Sequence, residues 1–280
     1  MKSISSILVP FDFSIESDNA LKYAHFIAQS TNCIVDVFNA VSPPSEDVRG
    51  SLSKAEVEAL IEEKKKANWK RLDDIISHRK FDDSRIRMNQ LVLGYNETLS
   101  EGVMRAVSLN HSGLIITGTK GVDGLPAVTT NSNSSDFITK STCPVLVVKH
   151  YDSALQLNKI LFSSEFLEED DEKSLFLFEL AKIFNAEVTL AHIMGDEDDS
   201  DKFNANLVRF AEKYAVSHDN LICHYESPIV KGIFNVATEL EVDLLVMGYH
   251  QSKVEEHELY GSLAEDFINH TQFPVLVLPM

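Results

Sequence analysis

A chain of 280 residues, 44% of them hydrophobic, has apolar material for two ordinary domains. Its 43 acidic and 25 basic residues give a formal net charge of −18. That balance argues against a nucleic-acid partner, whose phosphates need clustered lysine and arginine, and against an anionic membrane surface. In chain order, Ile4 to Pro10 is a short apolar run of the kind a central parallel strand shows when both its faces are covered. It is too brief for a secretory leader, and no later run approaches the ~20 residues of a membrane helix, so the expected compartment is the cytoplasm. Asp12-Phe-Ser14 leads into a helix over 15–30, with Leu21, Ala24, Phe26 and Ala28 on its apolar face. Cys33–Val41 reads as the second strand, closed by Ser42-Pro43-Pro44. A long polar helix over 53–78 carries the stripe Val57, Leu60, Ile61, Trp69, Leu72 and Ile75/Ile76. Arg85–Leu93 is the third strand, Leu99–Leu109 a helix and Leu114–Thr117 the fourth strand. A glycine-bearing loop follows, then a helix opening near Ser132. The Cys143-Pro144 break precedes the last strand, Val145–Val148.

The same series then recurs. Gly118 maps to Gly248, Ser132 to Ser262, Phe137 to Phe267 and Pro144 to Pro274, all at an offset of 130 residues without a gap. Four matches at one offset, in one order of elements, indicate a duplicated domain. Lys159–Ser163, Asp171–Phe184, Ala186–Ile193, Asp201–Ser217, Leu221–Tyr225 and Val230–Leu240 supply the earlier elements of the second copy. The first strands are offset by 153 residues, so the second copy lacks 23, which belong to its second helix and the flanking loops. Alternating strands and helices imply parallel sheets with helices on both faces. The expectation is a tandem α/β protein of two doubly wound, five-stranded parallel sheets, each of strand order 3-2-1-4-5, related by a pseudo-twofold. The domains are expected at 1–150 and 158–280.

In the first copy the fourth strand leads to Gly118-Thr-Lys-Gly121, nine residues, Asn131-Ser132, and later Cys143-Pro-Val-Leu-Val-Val148. In the second it leads to Gly248-Tyr-His-Gln251, nine residues, Gly261-Ser262, then Phe273-Pro-Val-Leu-Val-Leu278. With Asp12 just after the first strand, this pattern resembles the universal stress protein family in its tandem two-domain form. The resemblance covers nearly the whole chain. It implies a protein of stress response or regulation, with ATP or AMP as the adenine nucleotide of its first domain. There Asp12 reads the base, and the loop with Gly118, Lys120 and Gly121 wraps ribose and phosphates. Asn131 stands where the family has glycine and tolerates a left-handed backbone. Ser132 and Ser134 lie at the helix start, whose free N–H groups favour an anion. Pro10 and Val41 complete that set. The second set, Glu165, Gly248, Gly261 and Ser262, departs further from the pattern. Glu165 replaces the aspartate, Gln251 the second glycine, and acidic runs at 165–172 and 196–201 oppose an anion. The resemblance also implies that last strands pair antiparallel, so Val145–Val148 and Val275–Leu278 are expected to join within the chain, and two chains to form a homodimer.

Other chemistries are weaker. Asp196, Asp198 and Asp201 lack the glycine and distal glutamate of a calcium loop, so solvated loop charge is expected there. His192, His250 and His257 match no usual zinc spacing, and no metal is expected. Cys33, Cys143 and Cys223 lie far apart in or beside strands, as buried thiols do in a reducing compartment. No Walker or dinucleotide motif and no nucleophile–base set is indicated. Binding is therefore favoured over catalysis. A regulatory module without nucleotide is the alternative, and a slow ATPase comes last.

Overall fold

The computed structural model describes residues 4–78, 85–119, 133–149, 155–168, 171–195, 200–249 and 273–280. The chain divides into two compact units, Met1–Gly118 and Thr119–Met280.

The first unit holds four strands: β1 (Ser6–Pro10), β2 (Ile34–Val41), β3 (Ile86–Val92) and β4 (Leu114–Gly118). Their order is β3-β2-β1-β4 and every pairing is parallel. Ile7 stands between Val35 and Leu114 in the ladder. Ile7, Leu8 and Val9 are completely buried, as a central strand covered on both faces requires. Helix α1 (Ile15–Thr31) starts at Ser14, whose hydroxyl accepts from Ser17 N, and ends where Asn32 turns left-handed at φ 57°. Both ends therefore follow from local sequence. A short helix, α2 (Glu46–Gly50), precedes the long α3 (Lys54–His78). Only Val57, Leu72 and Ile76 of the expected stripe on α3 are fully buried, while Leu60 and Trp69 stay 41% and 42% exposed. The reason is a polar seam under this helix. Asn68 Nδ2 donates to Asn39 Oδ1 at 2.9 Å, and Gln90 Nε2 donates to the Lys65 carbonyl at 3.0 Å. Helix α4 (Leu99–Asn110) opens with a reciprocal cap between Thr98 and Glu101.

The second unit begins with α5 (Asn133–Lys140) and β5 (Val145–Val148). It continues through β6 (Lys159–Ser163), α6 (Leu175–Phe184), β7 (Glu187–Met194), α7 (Ser200–Tyr214) and β8 (Leu221–Tyr225). It ends with α8 (Ile229–Glu239), β9 (Leu244–Tyr249) and β10 (Val275–Pro279). The order is β5-β10-β9-β6-β7-β8. The five strands of the second repeat thus run 3-2-1-4-5, all parallel. β5 joins this sheet antiparallel to β10, the pairing expected of the two last strands. Its register centres on Leu146 opposite Leu276, its own equivalent, with Val145 against Val277 and Val147 against Val275, as a local twofold requires. Helix α6 differs from expectation in opening at Leu175 rather than Asp171, while α7, with 15 residues where α3 has 25, is the shortened second helix that was expected. The shorter helix accounts for much of the missing length.

Candidate functional site

The carboxyl ends of β1, β2 and β4 bring Pro10, Val41 and Gly118 to one edge of the first unit, and the turn after β1 adds Asp12. That turn is unusual. Phe13 has φ 69°, a left-handed conformation that a bulky side chain rarely adopts. It is held from several directions. Phe11 N donates to the Phe38 carbonyl at 2.8 Å, and Asn39 Nδ2 donates to the Phe11 carbonyl at 2.8 Å. The rings of Phe11 and Phe13 meet edge to face, centroids 5.4 Å apart, and the Arg71 guanidinium from α3 lies 4.3 Å above the Phe13 ring.

This turn delivers Asp12 to an exposed position. Its Oδ1 accepts from the Ser14 amide at 3.0 Å and the Ser14 hydroxyl at 2.5 Å. The same hydroxyl caps α1, so the acid is fastened to the helix start. Partial burial pushes the Asp12 carboxyl up, but the bonds from Ser14, together with those from Ser17 and its own backbone, outweigh that and hold it below the usual carboxylate range. At neutral pH the group is ionised and can only accept hydrogen bonds. Both bonds from Ser14 use Oδ1.

Gly118 has a clear packing reason. A Cβ there would lie 2.1 Å from the Glu16 carbonyl oxygen and 2.3 Å from its carbon, so the first turn of α1 touches the bare backbone of β4. Val41 is fully buried, and its carbonyl accepts from Leu93 N at 3.0 Å. Ser134 is buried within α5. Lys120, Gly121, Asn131 and Ser132 lie outside the described residues, as do Gly261 and Ser262 of the second set.

The second repeat keeps the turn and changes its filling. Phe166, one residue after Glu165, is again left-handed at φ 54°. His192 of β7 takes the part of Asn39: its Nδ1 lies 2.9 Å from the Ser164 carbonyl and donates to it. Phe166 is buried in an aromatic cluster with Phe162 at 5.3 Å and Phe210 at 5.0 Å. Arg209 donates to the Phe166 carbonyl at 2.8 Å and to Asp171 Oδ2 at 2.8 Å, and Lys213 reaches the same Asp171 oxygen at 2.8 Å. Burial raises the Asp171 carboxyl, but these two cations bring it below the ordinary range. Asp171 is therefore a structural anchor at the end of the acidic run, which sequence periodicity had placed in a helix. Gly248 is crowded differently from Gly118: a Cβ would lie 2.8 Å from Met280 Cγ, a side-chain atom.

Among the described residues no group of three or more His, Cys, Asp or Glu side chains gathers in a form that would hold a metal ion. Burial pushes the thiols of Cys33, Cys143 and Cys223 up, which disfavours the reactive thiolate. No helix among the described residues is long and apolar enough to cross a membrane.

Repeated doubly wound parallel sheets, with an acid placed by the turn after each first strand, define a tandem α/β protein whose sites belong at the carboxyl ends of the strands. The family profile described as "Universal stress protein family" matches residues 4–149 and 158–279, and the chain belongs to that family. Among solved structures it is similar to a universal stress protein from Archaeoglobus fulgidus, at 17% identity, covering 98% of this chain and 96% of that one with a TM-score of 0.71. It is also similar to a functionally unknown protein from Pseudomonas aeruginosa PAO1, at 19% identity, 99% and 92% coverage and a TM-score of 0.67. At these identities the likeness concerns the fold. A search of curated protein sequences gives no significant match.

Arg71, the Asn39 and His192 bonds and the Arg209 clamp were not picked out as site residues by sequence reasoning. One signal was present: Phe13 and Phe166 recur at the offset of 153 that relates the first strands.

Proposed function

We propose that this chain is a regulatory universal stress protein that holds an adenine nucleotide, ATP or AMP, in its first repeat, with Asp12 reading the base. The observation that carries the reading is the state of Asp12: an ionised carboxylate, fastened through Oδ1 to Ser14 and exposed beyond the end of β1. An acceptor-only group can accept from the exocyclic amino group of adenine, and the choice of adenine over other bases rests on the family. Crevices outside the carboxyl ends of central parallel strands are where ligands of such sheets bind. The reading assigns binding and signalling by occupancy, not turnover, and places the protein in the cytoplasm.

One observation favours the alternative, an interaction module without nucleotide. Gly118 is fully explained by its contact with Glu16 and needs no phosphate to account for it. Calorimetric titration of the full chain with ATP, AMP and GTP decides between the two. The nucleotide reading expects ATP and AMP to bind, GTP to bind at least about tenfold more weakly, and Asp12→Ala to weaken ATP by roughly 10- to 100-fold, the range for a hydrogen bond to a charged group. No heat at millimolar ATP, or equal affinity for GTP, refutes it.

A further inference from the structure

Each repeat carries an arginine on the helix after its second strand, one position before a completely buried residue: Arg71 before Leu72, and Arg209 before Phe210. Both arginines reach the left-handed phenylalanine that follows the first-strand acid. Their fates differ. Arg209 is bound on two sides, to Asp171 Oδ2 and to the Phe166 carbonyl, each at 2.8 Å. Arg71 is exposed, and among the described residues it pairs with no carboxylate or carbonyl; its contact is with the Phe13 ring, 4.3 Å from the guanidinium carbon to the centroid. A guanidinium held over a ring by cation–π attraction spends no N–H donor on a hydrogen-bond acceptor in that contact. Such a group is parked and oriented without being consumed.

We propose that Arg71 is the anion-binding residue of the Asp12 site, taking a phosphate of the ligand. The inference rests on the nucleotide reading above and names the group that recognises the other end of the ligand. Phe13 follows Asp12 directly in the chain, and the guanidinium lies over its ring. The electrostatics call for such a cation. The chain carries a net charge of −18, and Asp12 adds an ionised carboxylate at the site itself. A phosphate entering there needs a local positive partner, and a planar guanidinium offers it two parallel donors. In the second repeat the equivalent arginine is bound to its own loop and is not presented in this way.

The test compares adenosine, AMP and ATP binding to the full chain, as wild type and as Arg71→Gln, which keeps a flat polar end over the ring and removes the charge. Melting temperature controls for folding. The expected result is roughly 10-fold or greater weakening of AMP and ATP, with adenosine within about twofold of wild type and a shallower salt dependence for ATP. Arg71→Lys should recover part of the loss. Equal weakening of adenosine and ATP would make Arg71 a prop for Phe13 and overturn the proposal, as would unchanged ATP affinity. Wild-type protein that binds adenosine as tightly as ATP overturns it while leaving the base-reading role of Asp12 standing. Wild-type protein that binds none of the three overturns both.

Discussion

Replacing Gly118 by alanine should cost far more than the same change at Gly248, although the two are equivalent positions of the repeats. Neither glycine has a left-handed φ, so alanine suits both backbones and the outcome depends on space. At Gly118 the new Cβ would stand 2.1 Å from the Glu16 carbonyl oxygen. Restoring an ordinary contact of 3.4 Å means parting β4 from the first turn of α1 by about 1.3 Å, and both partners are backbone. That turn also bears Ser14 and the fastening of Asp12. Overpacking costs typically 1–3 kcal/mol, and a clash of backbone against backbone belongs at the upper end, about 3 kcal/mol. At Gly248 the nearest atom is Met280 Cγ at 2.8 Å, on a side chain that can rotate. A shift of about 0.6 Å there costs on the order of 1 kcal/mol, which the reduced freedom of the unfolded alanine chain nearly offsets. Urea unfolding followed by far-ultraviolet circular dichroism measures both variants. Trp69, the single tryptophan, reports on the first unit. With a slope of about 2 kcal/mol per molar urea, Gly118→Ala should lower the midpoint by roughly 1.5 M and Gly248→Ala by less than about 0.5 M. Similar shifts for the two variants would refute the idea that α1, rather than a general need for glycine, fixes position 118.

Four further outcomes follow from the contacts at the two turns. Ser14→Ala removes a helix cap and should cost about 1 kcal/mol. It should also return the Asp12 carboxyl toward its usual value, which carbon-detected NMR titration would show; an unmoved titration contradicts the fastening described. Because the Asp12 folded value is depressed, its contribution is complete above the ordinary carboxylate range and is lost as pH falls through the depressed value, so Asp12→Asn should lower stability at neutral pH, flatten the acid limb of the stability curve and converge with the wild type in acid; an unchanged acid limb contradicts this. Asp171→Ala leaves Arg209 and Lys213 without their shared acceptor and should destabilise the second unit by about 2 kcal/mol, measured by thermal unfolding, with a change below about 0.3 kcal/mol counting against the anchor. Finally, His192→Asn should cost less than His192→Ala, since Asn39 makes the same bond in the first repeat; equal costs would deny that the Ser164 carbonyl needs its donor.

Much of the fold was legible because it rests on local signals. The apolar runs of β1, β4 and β10 marked strands, the alternation of strands and helices marked parallel sheets, and the repeat offset of 130 marked the duplication. Less was legible where polar side chains do structural work. Asn39, Asn68 and Gln90 look like surface residues in sequence, yet they form the seam that leaves Leu60 and Trp69 exposed on α3. Asp171 looks like loop charge, yet two cations from α7 bind it, and α6 starts after it instead of at it. Such partners lie 38 and 42 residues away along the chain, beyond any periodicity. Asp12 was legible by resemblance and position. Arg71 was not, because an arginine on a polar helix carries no mark of the ring beneath it.

The left-handed phenylalanine shows what the duplication contributes to the argument. Phe13 and Phe166 each hold a conformation that costs on the order of 1–3 kcal/mol, and such strain often marks a functional site. Taken alone, Phe13 would invite that conclusion. The second repeat supplies an internal control, because Phe166 bears the same strain while wholly buried among Phe162 and Phe210 and tied by Arg209. Strain at this turn therefore belongs to the way the first strand hands over to its helix, whatever the turn goes on to do. The functional reading has to rest on what the repeats do not share. In the first, an ionised acid precedes the strained residue and an exposed guanidinium lies over its ring, with no carboxylate or carbonyl partner among the described residues. In the second, the arginine is bound inward and the phenylalanine has become core. The same backbone thus supports a presented pair of opposite charges in one repeat and a closed structural joint in the other.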